Sequence, residues 1–505
     1  MTNQDTEQYR IFLTQLEKEE HRPAALLELK NLLIFKPASE ATSTIRDVGI
    51  TKIVQCLNVA DKNQTDLTCE VLKICFEKFN PGDIIKNYTT HVMYMLRHEK
   101  SCVCKLAIDE VYKVITLDAG LLPVPQYIDV FVAVAQLINA SDIGIANKAI
   151  HITSNLLFEA YPKVLEEMKI MLDDNASSKC NAYEVIINIS TKSYELFQMS
   201  IEHGYIDHMV SQLLCNDILY ELNILELLSR LAVKPYGINH LVKHGALEKI
   251  SGLIIDLPKN PLSNLLTPGY LKFFGSVAHY YPREIFGKYP AIIDSLFNNF
   301  ENTDPTILPV TLDTLGFIGC TIEGKLCLAA LGCKYTQGVE ALCKLINNSP
   351  TETKVRALHC FANLISVDKD QSVPKSGPID HRVTLMTREW FRSLSSQPPA
   401  MEYLFDICKN PFPDIKLAAI ALLDAVCQHH WGEELVARTA GLIEYLLDRN
   451  ADNTKECKEA KYDIIKRLSK SAAFDANIIT RLQNYVEQGP FYSETVLEVA
   501  MEEGD

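Results

Sequence analysis

Tryptophan is scarce in this chain, with two residues in 505, and several signatures of chemistry are missing altogether. No glycine-rich loop able to cradle phosphates occurs, and no glycine fingerprint follows a strand pattern, which excludes the usual routes to nucleotide hydrolysis. Gly-x-Ser-x-Gly is absent, and no cysteine stands beside a histidine in a recognisable catalytic setting. Basic residues never run to five in succession, and the formal net charge is −15. The clustered cations that displace counterions from a nucleic acid backbone are therefore lacking, and nucleic acid is not an expected partner. Apolar stretches such as Val130 to Ile138 are far too short to span a bilayer, so no membrane partner is expected. The polar opening Met1-Thr2-Asn3-Gln4-Asp5 has no basic region leading into an apolar one, so no secretory leader is read. The expected setting is a reducing cytoplasmic or nuclear compartment.

Cysteine is not scarce. The fifteen cysteines are odd in number and fall mostly at apolar-stripe positions such as Cys75, Cys320, Cys360 and Cys427, where a thiol acts as a small hydrophobe rather than half of a disulfide. Cys102-Val103-Cys104 lacks a second pair at zinc-ligand spacing, and the adjacent His429 and His430 of His429-His430-Trp431 point in different directions on a helix. His203, His208 and His244 sit beside glycines in turn regions. Neither a metal site nor a cofactor is expected.

What fills the chain instead is a repeat. Triplets of apolar residues three apart recur, as in Leu26/Leu29/Leu32, Ile108/Val111/Val114, Tyr183/Ile186/Ile189, Leu225/Leu228/Leu231, Leu271/Phe274/Val277, Leu312/Leu315/Ile318, Leu358/Phe361/Leu364, Ile420/Leu423/Val426 and Tyr462/Ile465/Leu468. Their central residues give markers at 29, 75, 111, 153, 186, 228, 274, 315, 361, 423 and 465, mostly 33 to 46 residues apart. Such a period belongs to armadillo and HEAT units, whose helices cannot bury their apolar faces alone and stack for that reason. Glycine-led segments precede several triplets, at Gly49, Gly204, Gly245 and Gly441. A second signature pairs Gly237 with Gly245, Gly324 with Gly332 and Gly432 with Gly441, where glycine is expected to let helices meet at a sharp angle. Asn80-Pro81-Gly82-Asp83, Asp256-Leu257-Pro258-Lys259, Thr303-Asp304-Pro305 and Asn410-Pro411-Phe412-Pro413 read as turns. The reading is all-α: an armadillo/HEAT-repeat right-handed α-solenoid of about eleven stacked units, continuous over residues 1–495. An exposed loop is expected at 368–382 and an acidic, frayed tail at 496–505.

If the triplets face the core, residues two before and two after each marker point away from it, since a helix advances about 100° per residue. They are Asp109 and Lys113, His151 and Asn155, Glu184 and Asn188, Glu226 and Arg230, Lys272, Asp313, His359 and Asn363, then Asp463 and Arg467. This ladder of mixed charge is the candidate partner-binding groove, suited to a charged helical or globular domain. His151-x-x-x-Asn155 and His359-x-x-x-Asn363 stand where receptors for nuclear localisation signals carry Trp-x-x-x-Asn, but without the stacking tryptophans such a peptide groove is not supported.

Other segments interrupt the repeat. Leu266-Thr267-Pro268-Gly269-Tyr270-Leu271-Lys272-Phe273-Phe274-Gly275 is one, and Asp313-Thr314-Leu315-Gly316-Phe317-Ile318-Gly319 followed by Glu323-Gly324-Lys325 is another. Trp390-Phe391 with Ser393-Leu394-Ser395, Pro411-Phe412-Pro413, Ala460-Lys461-Tyr462 and Gly489-Pro490-Phe491-Tyr492 complete the set. Together they resemble the 26S proteasome non-ATPase regulatory subunit 5 family, armadillo/HEAT chaperones of proteasome base assembly. The likeness is dense from about residue 262 to 495 and thinner, though collinear, before that. It implies a solenoid without enzymatic activity whose concave surface holds the C-terminal domain of one base ATPase subunit. It also implies escort of an ATPase pair and a large non-ATPase scaffold subunit as a precursor module, delayed contact with the proteolytic core, and departure before the proteasome is complete. A monomer is expected before that complex forms. The motif segments mix core and turn residues, so they do not carry over which ladder residues touch the ATPase. Pro268, Gly269, Gly316 and Gly319 read as helix-packing residues, while Phe273 reads either as packing on a neighbouring unit or as capping a partner pocket. A general armadillo adaptor docking through 368–382 is a second reading, and a hydrolase or transferase built on His429 and a cysteine a third.

Overall fold

The fold rests on eleven helices that carry the eleven markers: α1 (Arg22–Ile34), α2 (Lys62–Glu77), α3 (Ser101–Asp118), α4 (Ile143–Ser154), α5 (Ala176–Ser190), α6 (Ile218–Ala232), α7 (Ser263–Tyr280), α8 (Ile307–Gly319), α9 (Thr351–Ile365), α10 (Pro413–Cys427) and α11 (Lys455–Leu468). This is a computed structural model describing residues 3–58, 61–214, 217–257, 260, 262–301, 304–367, 379–452 and 454–492. All eleven markers are buried. The triplets hold almost throughout, with two adjustments: Leu33 takes the core place expected of Leu32, and Tyr462 is half-buried with its hydroxyl donating to the Val486 carbonyl at 3.2 Å. No strand occurs among the described residues.

The chain divides into two compact units, Met1–Tyr236 and Gly237–Asp505. Within the first, α1 packs on α2, α2 on α3, α3 on α4, α4 on α5 and α5 on α6. Within the second, α7 packs on α8, α8 on α9, α9 on α10 and α10 on α11. Most core helices are reached through two others in a fixed order, as with Tyr194–Glu202 and Tyr205–Ser211 before α6, or Ile322–Ala329 and Cys333–Asn348 before α9. The first members form their own row in the second unit: Ile322–Ala329 packs on Pro282–Lys288 and on His381–Arg392, which packs on His430–Arg438.

Glycine does two separate jobs in this arrangement. Gly49, Gly204 and Gly441 have φ of +87°, +77° and +78° and turn the chain from the first helix of a triplet into the second, a conformation glycine adopts without a Cβ penalty. Gly324 and Gly432 have no unusual φ but sit where a following helix crosses the end of a core helix, and the crossing from α8 into Ile322–Ala329 is 110°. The sharp meeting read from the sequence is thus present.

The 62-residue interval between markers 361 and 423 holds two helices, His381–Arg392 and Ala400–Cys408, and does not separate α9 from α10. Of the loop expected at 368–382, residues 368–378 lie outside the described residues. The remainder is shorter than expected, because Asp380 accepts from the Arg382 amide at 2.8 Å and caps a helix that begins at His381. That helix buries Val383, Thr387, Trp390 and Phe391 and leaves Leu385 exposed. The tail expected at 496–505 also lies outside the described residues.

Candidate functional site

A helix that buries one wide stripe exposes the positions two before and two after its central residue, and the ladder follows that geometry. Lys113, His151, Glu226, Arg230, Lys272, Asp313, His359 and Asp463 are exposed, whereas Asp109, Asn155, Glu184, Asn188, Asn363 and Arg467 are half-buried. Much of the ladder is spent inside the protein, tying neighbouring core helices together. In the first unit Asp109 of α3 pairs with Lys148 of α4. Lys113 turns back at 2.6 Å to Glu110, whose carboxyl is pushed up by burial and drawn part of the way back by this lysine. His151 lies against the Tyr112 ring with centroids 5.0 Å apart. Asn155 donates to the His151 carbonyl at 2.8 Å and accepts from Lys192, also at 2.8 Å. Asn188 of α5 donates to the Ser154 hydroxyl at 3.1 Å and accepts from Arg230 of α6.

In the second unit Asp313 of α8 pairs with Arg356 of α9 at 2.9 Å, and Arg467 of α11 with Asp424 of α10 at 3.4 Å. The Asn363 carbonyl accepts from Lys325 at 3.2 Å. His359 is exposed on α9, one turn before Asn363. Glu184, Glu226, Lys272 and Asp463 make no ion pair among the described residues.

The ladder missed an aromatic residue at one of its own positions. Phe317 stands two residues past marker 315, is 40 % exposed, and stacks on His279 with ring centroids 3.9 Å apart and planes at 4°. His279 Nδ1 donates to the Phe317 carbonyl at 2.7 Å, which fixes the pair, and the neighbouring Tyr280 is also exposed. The offset rule would have found Phe317; restricting it to polar residues did not. Phe273 is the converse. It is buried and meets Phe274 edge-on at 5.1 Å, so it packs in the core and caps no partner pocket. The motif glycines also pack: a Cβ on Gly275 would stand 2.6 Å from Thr314 Cγ2, and one on Gly319 2.2 Å from Leu364 Cδ2.

His429, the histidine considered for catalysis, is occupied structurally. His429 is fully buried at the start of helix His430–Arg438, with Nε2 donating to the Ile365 carbonyl at the end of α9 at 2.8 Å. Burial pushes the thiols of Cys75, Cys343 and Cys408 up to about 12, away from the thiolate that would act as nucleophile or metal ligand. No single helix among the described residues is long and apolar enough to cross a membrane.

Comparison with known proteins finds relatives over almost the whole chain. A relative from Bos taurus named 26S proteasome non-ATPase regulatory subunit 5 is 26% identical over 491 residues, covering 94% of this chain and 95% of its own. A Drosophila melanogaster protein of the same name is 26% identical over 505 residues, covering 97% of this chain and 98% of its own. The solved structure of a Kap95:Nup1 complex superposes with a TM-score of 0.59 at 12% identity, over 95% of this chain and 57% of that one, a likeness of fold that supports the all-α solenoid. The family described as Proteasome non-ATPase 26S subunit matches residues 6–505. The chain therefore belongs to the proteasome non-ATPase 26S subunit family, and its role is with proteasome components.

Proposed function

We propose that this chain is a non-enzymatic assembly chaperone for the base of the 26S proteasome regulatory particle, acting as a monomer in the cytoplasm or the nucleus. It binds the C-terminal domain of a base ATPase subunit, escorts a precursor module of ATPases and the large scaffold subunit, and leaves before the mature particle forms. Family membership supports this reading, and the observation that carries it is the exposed face of the core helices. In the first unit Glu184 and Glu226, and in the second Lys272 and Asp463, make no ion pair among the described residues, and the second unit also exposes the aromatic step of Phe317 on His279. Core helices that present unspent charges and an exposed aromatic residue suit stoichiometric binding of a folded domain, with electrostatics setting register and on-rate. Capture on the tagged protein from cell extract is expected to recover base ATPases without the proteolytic core. A triple variant, Glu226→Lys, Lys272→Glu and Asp463→Lys, is expected to lower that recovery about tenfold, equivalent to about 1.4 kcal/mol, with an unchanged circular dichroism spectrum. Intact, active proteasome as the dominant species, or unaltered recovery by the triple variant, would count decisively against the proposal.

A further inference from the structure

Cys69 lies midway along α2 and Cys102 in the first turn of α3, and these two core helices of the first unit pack on each other. Their approach is fixed one turn away. The Lys100 ammonium, just before α3, donates to the Thr65 hydroxyl at 2.6 Å, and Thr65 shares a face of α2 with Cys69 by its i, i+4 spacing. That contact brings the start of α3 over Cys69, and the Cys102 thiol is the one that meets the Cys69 thiol as a hydrogen-bond partner. Burial first, and then the neighbouring Cys102, push the Cys69 thiol up to about 12, while the Lys100 ammonium acts the other way.

The two sulfurs differ in access. Cys69 is buried, whereas Cys102 is half-buried and opens to solvent. Nearby thiols are engaged elsewhere: Cys104 is buried and donates to the Leu96 carbonyl at 3.6 Å, Cys56 donates to the Lys52 carbonyl at 3.3 Å, and Cys75 is fully buried. An accessible thiol in contact with a sheltered one allows an oxidised sulfur to be resolved before it is oxidised further. In a reducing compartment such a pair rests as two thiols and closes only under oxidant.

We infer that Cys69 and Cys102 form a peroxide-sensitive dithiol, which oxidation converts into a disulfide between α2 and α3. The first step falls on Cys102: its sulfur attacks one oxygen of hydrogen peroxide, the O–O bond breaks, and the thiol becomes a sulfenic acid with release of water. The Cys69 sulfur then attacks the Cys102 sulfur, the S–O bond breaks, and hydroxide leaves with the Cys69 proton as a second water. Two thiols and one hydrogen peroxide thus give one disulfide and two waters, the sulfurs losing two electrons to oxygen. The new bond ties together successive core helices whose contact is otherwise non-covalent, and a thiol reductant reverses it. This inference is independent of the proteasome-assembly reading.

The test is treatment of the reduced full-length protein with hydrogen peroxide, alkylation of the remaining thiols in urea, digestion without reductant and mass spectrometry. A peptide pair joined through Cys69 and Cys102 is expected to be the main linked product, about tenfold above any other cysteine pairing, because thiols already in contact react at a high effective concentration. Dithiothreitol is expected to restore both thiols. In Cys69→Ser, a dimedone adduct on Cys102 is expected to exceed that in the wild type about tenfold, since the sulfenic acid is left unresolved, and a Cys69 that only packs would not move this adduct. If Cys69→Ser does not fold, the linked peptide of the wild type decides alone. Cys102 carried on to sulfinic acid with Cys69 still alkylated as a free thiol, or Cys102 found mainly in linkages between two copies of the chain, overturns the inference.

Discussion

At Gly324 an ideal Cβ would stand 2.0 Å from the Ile318 carbonyl oxygen, and at Gly432 it would stand 2.0 Å from that of Val426. Backbone cannot give way there as a side-chain tip can, so Gly324→Ala or Gly432→Ala is expected to destabilise the protein by about 1–3 kcal/mol in urea titration. Gly252, inside helix Ala246–Asp256, has nothing within 4 Å of its would-be Cβ and no unusual φ. Gly252→Ala is therefore expected to stabilise by about 0.5–1 kcal/mol, and a loss at Gly252 equal to that at Gly324 would refute the close-approach argument. Three histidines in the first unit, His91, His98 and His208, have pKa values lowered by burial, with nearby lysines adding to the effect at His98 and His208. Their unfolded forms take up protons first as pH falls below the ordinary value of 6.5, so acidification there costs stability and the loss ends once the folded forms also titrate. Urea midpoints are expected to drop between pH 7.5 and 5.5, and His208→Gln should make that slope shallower. The sequence exposed the repeated glycines but left Phe273 open between core packing and a partner pocket, and passed over Phe317. One apolar offset identifies the middle of a buried face, but not how far neighbouring helices widen it on either side.

The ends of the core helices show a device that the repeat pattern hides. Carbonyls in a helix's last turn have no partner within it, and several here are satisfied by a side chain from elsewhere in the same unit. Lys78 donates to the Lys36 carbonyl just past α1 at 2.9 Å, Tyr161 to Ser154 of α4 at 3.0 Å, and Tyr236 to Ser190 of α5 at 2.9 Å. Lys325, fully buried, donates to the Gly319 carbonyl of α8 and to Asn363 of α9. His429 does the same for Ile365 of α9. Positive groups there also suit the negative end of the helix dipole. Lys325→Met, which keeps much of the aliphatic volume, is expected to cost about 2 kcal/mol, as hydrogen bonds from a charged donor do; Tyr236→Phe, losing one neutral bond, should cost about 1 kcal/mol. Equal denaturation midpoints for Lys325→Met and wild type would remove this capping role. Lys325 stood out in the sequence only as part of an unexplained Glu323-Gly324-Lys325 motif, since a lysine that reaches another helix's last carbonyl leaves no periodic trace.

For the whole chain, a net charge of −15 and a ladder whose unspent members are mainly acidic would make the proposed association with a base ATPase salt-sensitive. Surface plasmon resonance is expected to show the on-rate falling as sodium chloride rises from 50 to 300 mM with a smaller change in off-rate, whereas Phe317→Ala should act chiefly on the off-rate. A salt-independent on-rate would argue for a mainly apolar contact. The sequence by itself determined the helical class, the eleven core helices and their buried markers, because a helix must turn its apolar stripe inward wherever it packs, and that stripe is written locally. Its irregular segments also carried the family. Tertiary structure alone decided which ladder charges are consumed between neighbouring helices, that Phe317 faces outward while Phe273 does not, and that Gly489 to Tyr492 folds over Arg449. The ion pairs between core helices, the Phe317–His279 stack and the Arg449 contacts depend on residues roughly forty positions apart meeting at a particular distance, and no local periodicity encodes that meeting.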